Sequence, residues 1–403
     1  MSALVAELAY AQRLGRCPER VRGSNPLEGT MFCQDCGRPS YCHLQTWLDE
    51  LTSRFLLRLI LPQKFELFFD SLLEKIFIFS GLASLRSDFT GSDIQMRSAC
   101  FIEELKKRGA MVKALRGPAG YTNYFRVEMG GKIIRFENLP FADNAWVVDD
   151  KEKTKLYLRK GNFPIAEGKS FWFWQKKKAC DFAMEKIGFP LVVKPRNGSV
   201  SRHVTTDIQT LEKLKKAVEW ATIYSPAFII EKFISRAFVY RATVIDFDYV
   251  ACVKQVPANV VGDGMATIRE LIDKKNSDPN RGGPHQKIVE NETTDFLNVP
   301  KEGEVVFLQQ DPFLKLGGDL IEMTPEVHPD NRNLFRQVAK FFNIRVVGID
   351  FLARDISRSY KEQECAIIEL NGAPCIELHH FPYSGAPQNV AKAVADLFFK
   401  YYL

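Results

Sequence analysis

Beyond Gly161 the chain alternates short apolar runs of strand length with amphipathic helical patterns, and this alternation narrows its fold more than any other feature. FPLVVKP reads as a buried strand and TLEKLKKAVEWA as a helix. AFIIEKFI, VYRATVIDF and YVACVKQV read as strands, the last two forming a hairpin around Asp246, Phe247 and Asp248. TIRELIDKKN and DNRNLFRQVAKFFN are helical, IRVVGIDFLARDI and CAIIELN are strands, and NVAKAVADLFFKYY is a closing helix. The pattern is that of an α+β (or α/β) protein with large mixed sheets.

A chain of 403 residues suits two or three domains rather than one small core. Residues 1–90 differ from the rest and read as a mostly helical extension, with WLDELTSRFLLRLI ended by Pro62. Residues 91–150 form a small α/β unit. MRSACFIEELKKRGA is its helix, with Gly109 at the C-terminus, and MVKAL and KIIRF are strands. The remainder, 151–403, opens on the helix DKEKTKLYLRKG, whose acidic start suits the helix dipole and whose Gly161 suits its stop.

The net charge of +6 comes from 55 basic and 49 acidic residues, a mixed surface that argues against a dedicated nucleic-acid binder but accommodates an anionic nucleotide. Nine scattered cysteines, an odd number, argue against a disulfide framework and for a reducing, cytoplasmic setting. The start lacks a secretory pattern. The most apolar region, 55–85, is interrupted by Arg58, Lys64, Glu66, Asp70, Glu74 and Lys75, so no membrane span is expected. It reads as a helical pair packed on the main body, with membrane-surface association as the alternative.

Two acidic clusters stand at strand ends. VVGIDFLARD carries Asp350, and CAIIELNGAP carries Glu369 and Asn371 two residues apart, on one face of a strand. If the two strands are neighbours, these oxygens converge into a hard ligand set suited to Mg²⁺; otherwise they are two solvated strand ends. Lys194 emerges from the apolar run Pro190, Leu191, Val192, Val193, where a lysine rarely lacks a partner. The polar, basic turn RNGSVSRH follows; such a turn can offer backbone N–H groups to phosphate, or be just a turn. No Walker motif occurs.

The order DKxxxK, VVKP, small loop, IIEKFI, YRATV, PANVVGDGMATIRELI, GID, IELNGAP resembles the ATP-grasp superfamily over roughly 93–403. The stretch 257–276, PANVVGDGMATIRELIDKKN, is the most specific part. It is similar to the ATP-grasp regions of cyanophycin synthetase and of the bifunctional glutathione-synthesising ligase. The resemblance implies a pre-ATP-grasp unit at 91–150 and an ATP-grasp domain at 151–403, with a lid at about 160–230 and a catalytic mixed-sheet subdomain at about 231–403. It implies that Lys155 and Lys194 contact ATP phosphates. Gly198, Ser199 and Ser201 belong to a lid loop over 198–203. Glu231, Lys232, Phe233 and Ile234 form the hinge that reads adenine, and Arg241 is the arginine of the YR strand. Asp350, Glu369 and Asn371 bind Mg²⁺, which Mn²⁺ can replace.

The implied activity is ADP-forming ligation of a carboxylate to an amine through an acyl phosphate, with an amino acid or short peptide as a substrate. The alternative is a catalytically weak or inactive ATP-grasp module serving as an ATP-binding or assembly partner. A homo-oligomer is compatible with either. Departures from the family pattern favour the alternative. Phe238 stands near the place of the ribose-binding acid, and the lid loop is poor in glycine. Gln309, Phe313 and Lys315 replace the usual residues before the GG pair, and Cys375 replaces the glycine of the NxxPG turn.

Three further features remain. Cys33 and Cys36, followed by Cys42 and His43, resemble a small zinc site. Adjacent Cys42 and His43 would have difficulty ligating one ion together, and Cys17 is a candidate fourth ligand. The alternative is a set of reduced thiols. His379 and His380 either face the substrate or decorate a loop. The run Phe171, Trp172, Phe173, Trp174 suits lid core packing better than base stacking.

Overall fold

The computed structural model describes Cys33, 41–55, 63–141, Val148, 150–197, 202–289, 294–309, 311–312 and 314–403. Two compact units emerge, one built from residues up to Pro140 with Glu167–Phe233 and the last two residues, the other from Phe141–Ala166 and Ile234–Tyr401. The helix at 151–160 thus belongs with the C-terminal sheet, and the small N-terminal sheet shares a unit with the 167–233 segment. Among the described residues, no helix is long and apolar enough to cross a membrane, and Cys33, Cys100, Cys180, Cys252, Cys365 and Cys375 are all free thiols.

In the first unit, helices α1 (Tyr41–Phe55) and α2 (Gln63–Phe79) precede a four-stranded antiparallel sheet, β1 (Ser84–Arg86), β2 (Met111–Gly117), β3 (Gly120–Met129) and β4 (Lys132–Glu137), joined in that order. Helix α3 (Met96–Lys107) turns Phe101, Ile102 and Leu105 inward, as its periodicity predicts. β3 alternates apolar and polar residues too loosely to be singled out in the sequence, yet it is the long central strand. Glu74 of α2 is buried on this sheet, where Tyr124 donates a 2.9 Å hydrogen bond and Arg135 a 2.6 Å one, so a buried carboxylate is compensated by a cation.

The second sheet of this unit has the order β5–β8–β6–β7, with β5 at Gly168–Trp172, β6 at Leu191–Pro195, β7 at Thr205–Ile208 and β8 at Ala227–Lys232. Helices α5 (Lys176–Phe182) and α6 (Leu211–Tyr224) cover it, burying Phe171, Leu191, Val193, Leu214, Val218, Phe228 and Ile230 in one core. Of the aromatic run, Phe171 alone joins that core. Trp172 and Trp174 stack on each other at 5.0 Å, and Phe173 meets Trp47 of α1 at the same distance. Gly168 is fixed by a close approach: a Cβ there would lie 2.3 Å from the Ile230 carbonyl oxygen.

In the second unit, α4 (Lys151–Lys160) starts at Asp150, whose side chain accepts from the Glu152 and Lys153 amides. The central sheet has the order β13–β10–β9–β14–β15, all pairs antiparallel, with β9 at Phe238–Ile245, β10 at Tyr249–Val256, β13 at Asp319–Glu322, β14 at Val346–Ala353 and β15 at Ala366–Asn371. The β9–β10 turn places Asp246 and Phe247 at positive φ, as a tight hairpin requires. One face, formed by Tyr240, Ala242, Val244, Val347, Ile349 and Phe351, packs against α8 (Pro329–Phe342). The PANVVGDG stretch carries β11 (Asn259–Val261), paired with β12 (Val305–Phe307), and leads into α7 (Ile268–Asn276). Thr267 and Glu270 close a reciprocal capping box at the start of α7. Helices α9 (Glu377–His380) and α10 (Val390–Tyr402) complete the unit.

Candidate active site

Strand alternation sends Arg241, Thr243, Gly348 and Asp350 to the face of the central sheet opposite α8. Arg241 lies directly across from Asp350, and Asp350 directly across from Glu369, so the three make one rung over three strands. The next rung pairs Thr243, Gly348 and Asn371. The neighbouring of β14 and β15, on which the convergence of Asp350, Glu369 and Asn371 depended, is therefore present.

Arg241 grips Asp350 with both ends of its fork: Nε donates to Oδ1 in a short bond and Nη2 donates to Oδ2 at 2.9 Å. Burial works against the guanidinium charge, but the Asp350 carboxylate outweighs it and the Arg241 pKa is raised. The pair is nearly sealed, with side chains 12% and 11% exposed. Gly348 leaves the room for it. A Cβ there would lie 2.9 Å from Pro374 Cβ and 3.3 Å from Arg241 Cδ. Glu369 is half-buried, and Lys151 Nζ approaches its Oε1 to 3.5 Å. Asn371 holds a buried Nδ2 with no hydrogen-bond partner among the described residues.

The donors fit Mg²⁺ in kind: two carboxylates and a carboxamide on one face, all hard oxygens. Asp350 stays eligible despite Arg241, because each carboxylate oxygen has a second lone pair. The same face carries an apolar patch of Ala166, Ile234, Leu352 and Ile368, grouped with Ala237 and Ala366.

Other anticipated residues fall as follows. Lys155 is half-buried on α4, one turn beyond Lys151. Lys194, on β6 of the first unit, is paired with Glu231 of β8 at 2.9 Å, both side chains little exposed. Lys232 donates to the Phe189 carbonyl at 2.8 Å, and the Phe233 amide donates to Pro190 O. The Glu231–Ile234 stretch is where the chain passes from the first unit to the second, with Ile234 already in the second. Gly198, Ser199 and Ser201 lie outside the described residues, as do Phe313, Cys17, Cys36 and the Cys42 side chain.

Phe238 turns to the α8 face, where Lys254 Nζ stands 3.4 Å over its ring centroid, so it points away from Arg241 and Asp350. Gln309 donates to the Val289 carbonyl at 3.1 Å. Lys315 sits half-buried on the turn Leu314–Leu316. Cys375 packs beside Val253, Leu320 and Leu378.

Neither histidine merely decorates an exposed loop. His379 is fully buried, with Nε2 2.8 Å from Thr243 Oγ1 and Nδ1 3.5 Å from Glu322 Oε2, and burial lowers its pKa. His380 accepts from the Ala391 amide at 3.1 Å. Sequence reading also missed Lys151 beside Glu369, although it is the first lysine of DKEKTK. It missed a buried cluster around Asp319 as well, which takes Arg281 in a short bond, Lys275 Nζ at 2.6 Å and Asn259 Nδ2 at 2.9 Å.

Comparison with known proteins follows this geometry. No protein-family model matches. Over 265 residues the chain is 36% identical to cyanophycin synthetase of Trichormus variabilis, an alignment covering 62% of this chain and 29% of that protein. It is 32% identical over 270 residues to the bifunctional glutathione-biosynthesis protein of Clostridium perfringens, covering 63% of this chain and 34% of that one. The chain therefore spans about a third of the length of these relatives. Among solved structures, a bifunctional glutathione synthetase from Pasteurella multocida shares the fold, with TM-score 0.58 and 23% identity over 76% of this chain and 44% of that one.

Proposed function

We propose, from the premise that this chain belongs to the ATP-grasp superfamily, that it is an ATP-dependent, ADP-forming ligase joining a carboxylate to an amine by way of an acyl phosphate. The observation that carries the reading is the rung Arg241, Asp350, Glu369 with Asn371 beside it on the same sheet face. Asp350, Glu369 and Asn371 would hold Mg²⁺, or Mn²⁺ in its place, which supplies charge neutralisation for phosphoryl transfer. Arg241 fixes the Asp350 carboxylate so that one orientation is presented, an arrangement worth more in a dry site than in water. Lys151 and Lys155, one turn apart on α4, offer cations on the Glu369 side for the phosphates. The patch of Ile234, Leu352 and Ile368 on the same face offers an apolar surface for adenine.

Similarity to cyanophycin synthetase and to a glutathione-biosynthesis protein supports amino acids or short peptides as the carboxylate and amine. Phosphoryl transfer of this kind relies on positioning and charge rather than a protein nucleophile, and the sheet face carries no serine or cysteine in the rung.

The test is phosphate release from Mg·ATP by the purified chain against a panel of amino acids and dipeptides, with product mass spectrometry and ATP-binding calorimetry alongside. Release dependent on one pair, with a product lighter than their sum by one water, is the expected result. No calorimetric binding of Mg·ATP would overturn the reading in favour of a non-catalytic module.

A further inference from the structure

The N-terminal extension does something the ligase reading does not use. Cys33, His43 on α1 and His203 bring one ligand atom each to within 4.8 Å of one another, although 170 residues separate Cys33 from His203. Cys33 Sγ is 3.2 Å from His203 Nε2. Tetrahedral zinc holds sulfur and nitrogen ligands about 3.3–3.6 Å apart, so small shifts of these atoms around an ion would fill three of the four positions of a tetrahedral site. His43 and His203 are buried, and their rings meet edge to face at 5.1 Å.

A second observation points to the same role. His203 Nδ1 lies 2.8 Å from the Trp220 carbonyl oxygen, which makes Nδ1 the donor and leaves the Nε2 lone pair aimed at the cluster. A carbonyl behind a histidine is how metal-ligating imidazoles are held in tautomer and orientation. Trp220 also stacks on the ring at 4.4 Å and Tyr224 lies against it at 5.1 Å, so the ring is fixed on both counts. His203 itself adopts φ 53°, a left-handed backbone uncommon outside glycine.

We propose that Cys33, His43 and His203 supply three of the ligands of a structural site for a thiophilic divalent cation of the zinc class, and that this site clips the N-terminal segment to the end of the 198–203 loop. It keeps Cys33 and His43 of the set read from the sequence and adds His203 from beyond β6. The start of that loop is gripped by the same helix: Glu50 of α1 lies 3.7 Å from Arg196, both side chains at most 5% exposed. The extension therefore holds the chain on either side of 198–201, within the 198–203 loop that the family resemblance gives to the phosphates.

The experiment uses the full chain. Metal content is measured by plasma mass spectrometry after purification without added metal, and Co²⁺ is titrated into chelator-treated protein. About one zinc per chain and a near-ultraviolet thiolate-to-cobalt band are expected. Cys33→Ser should lose the band. His43→Ala and His203→Ala should each lower Co²⁺ affinity at least ~10-fold with circular dichroism unchanged. Wild-type protein that neither carries zinc nor takes up Co²⁺ would overturn the site, a readout indifferent to whether any variant folds. Binding that vanishes in Cys33→Ser but persists unchanged in both histidine variants would overturn the ligand set.

Discussion

Glu369 stands directly across from Asp350 because β15 carries one residue more than its partner at that point. Phe351 pairs with Ile367 and Asp350 pairs with Glu369, so Ile368 is the extra residue of a β-bulge. Had the register of Phe351 and Ile367 simply continued, Glu369 would face Ile349 and point into the core beneath α8. The bulge brings the second carboxylate onto the polar face and leaves Ile368 in the apolar patch beside Leu352 and Ile234.

The two carboxylates should behave differently when neutralised. Glu369→Gln removes a half-buried charge whose ion-pair partner is Lys151 at 3.5 Å, and it should abolish Mg·ATP turnover with a melting temperature near that of the native protein. Asp350→Asn strands a buried guanidinium, and breaking such a pair costs about 3–5 kcal/mol, so turnover and melting temperature should fall together. Thermal melts beside phosphate-release assays separate the cases. Turnover retained in both variants would remove the carboxylates from the proposed metal set.

Gly348→Ala tests the space reserved for Arg241. The added methyl meets Pro374 and the Arg241 side chain, and overpacking of this kind costs about 1–3 kcal/mol. The arginine is the movable neighbour, so activity should fall further than stability. A variant with native turnover and a native melting curve would show that the rung tolerates displacement of Arg241.

Much of this was legible in local pattern. The long strands of the central sheet are rich in Val and Ile, and the longer helices announce themselves by period and by caps such as Asp150. The face-sharing of Glu369 and Asn371 followed from their spacing alone. What could not be read depends on pairing between distant segments. The bulge at Ile368 exists only against β14. Lys151 meets Glu369 across 218 residues, and His203 meets Cys33 across 170. β3 escaped notice because GYTNYFRVEM is polar enough to pass for a loop until β2 and β4 flank it. The setting of His379 stayed open between the substrate and a loop because its partners, Thr243 and Glu322, come from two different strands.

Asp319 should prove a linchpin of the region after β10. Its carboxylate accepts from Arg281, Lys275 and Asn259, and Arg281 also donates to the Gln286 carbonyl at 2.7 Å, so β13, α7 and the turn Pro279–Arg281 are tied to one buried anion. Desolvation already lowers the Lys275 pKa against the pull of Asp319. Asp319→Ala leaves two buried cations uncompensated and should cost about 3–5 kcal/mol, seen as a shifted urea midpoint. A midpoint within error of the native one would mean that the cations relax to solvent.

Acid should weaken the fold through His379. Burial depresses its pKa below the ordinary 6.5, with Arg241 nearby acting in the same direction and Glu322 opposing. Between the depressed folded value and 6.5 the unfolded chain binds the proton and the native chain does not. The contribution to stability is therefore complete above pH 6.5 and declines as pH falls toward the folded value, by at most about 1.4 kcal/mol per pH unit. His285, also buried with a lowered pKa, adds a term of the same sign. His379→Gln removes one titrating group and keeps a polar side chain facing Thr243. Its melting temperature, followed from pH 7.5 to 5.5, should fall less steeply than that of the native protein. Parallel pH profiles would mean that His379 takes its proton inside the folded chain, with Glu322 prevailing over desolvation.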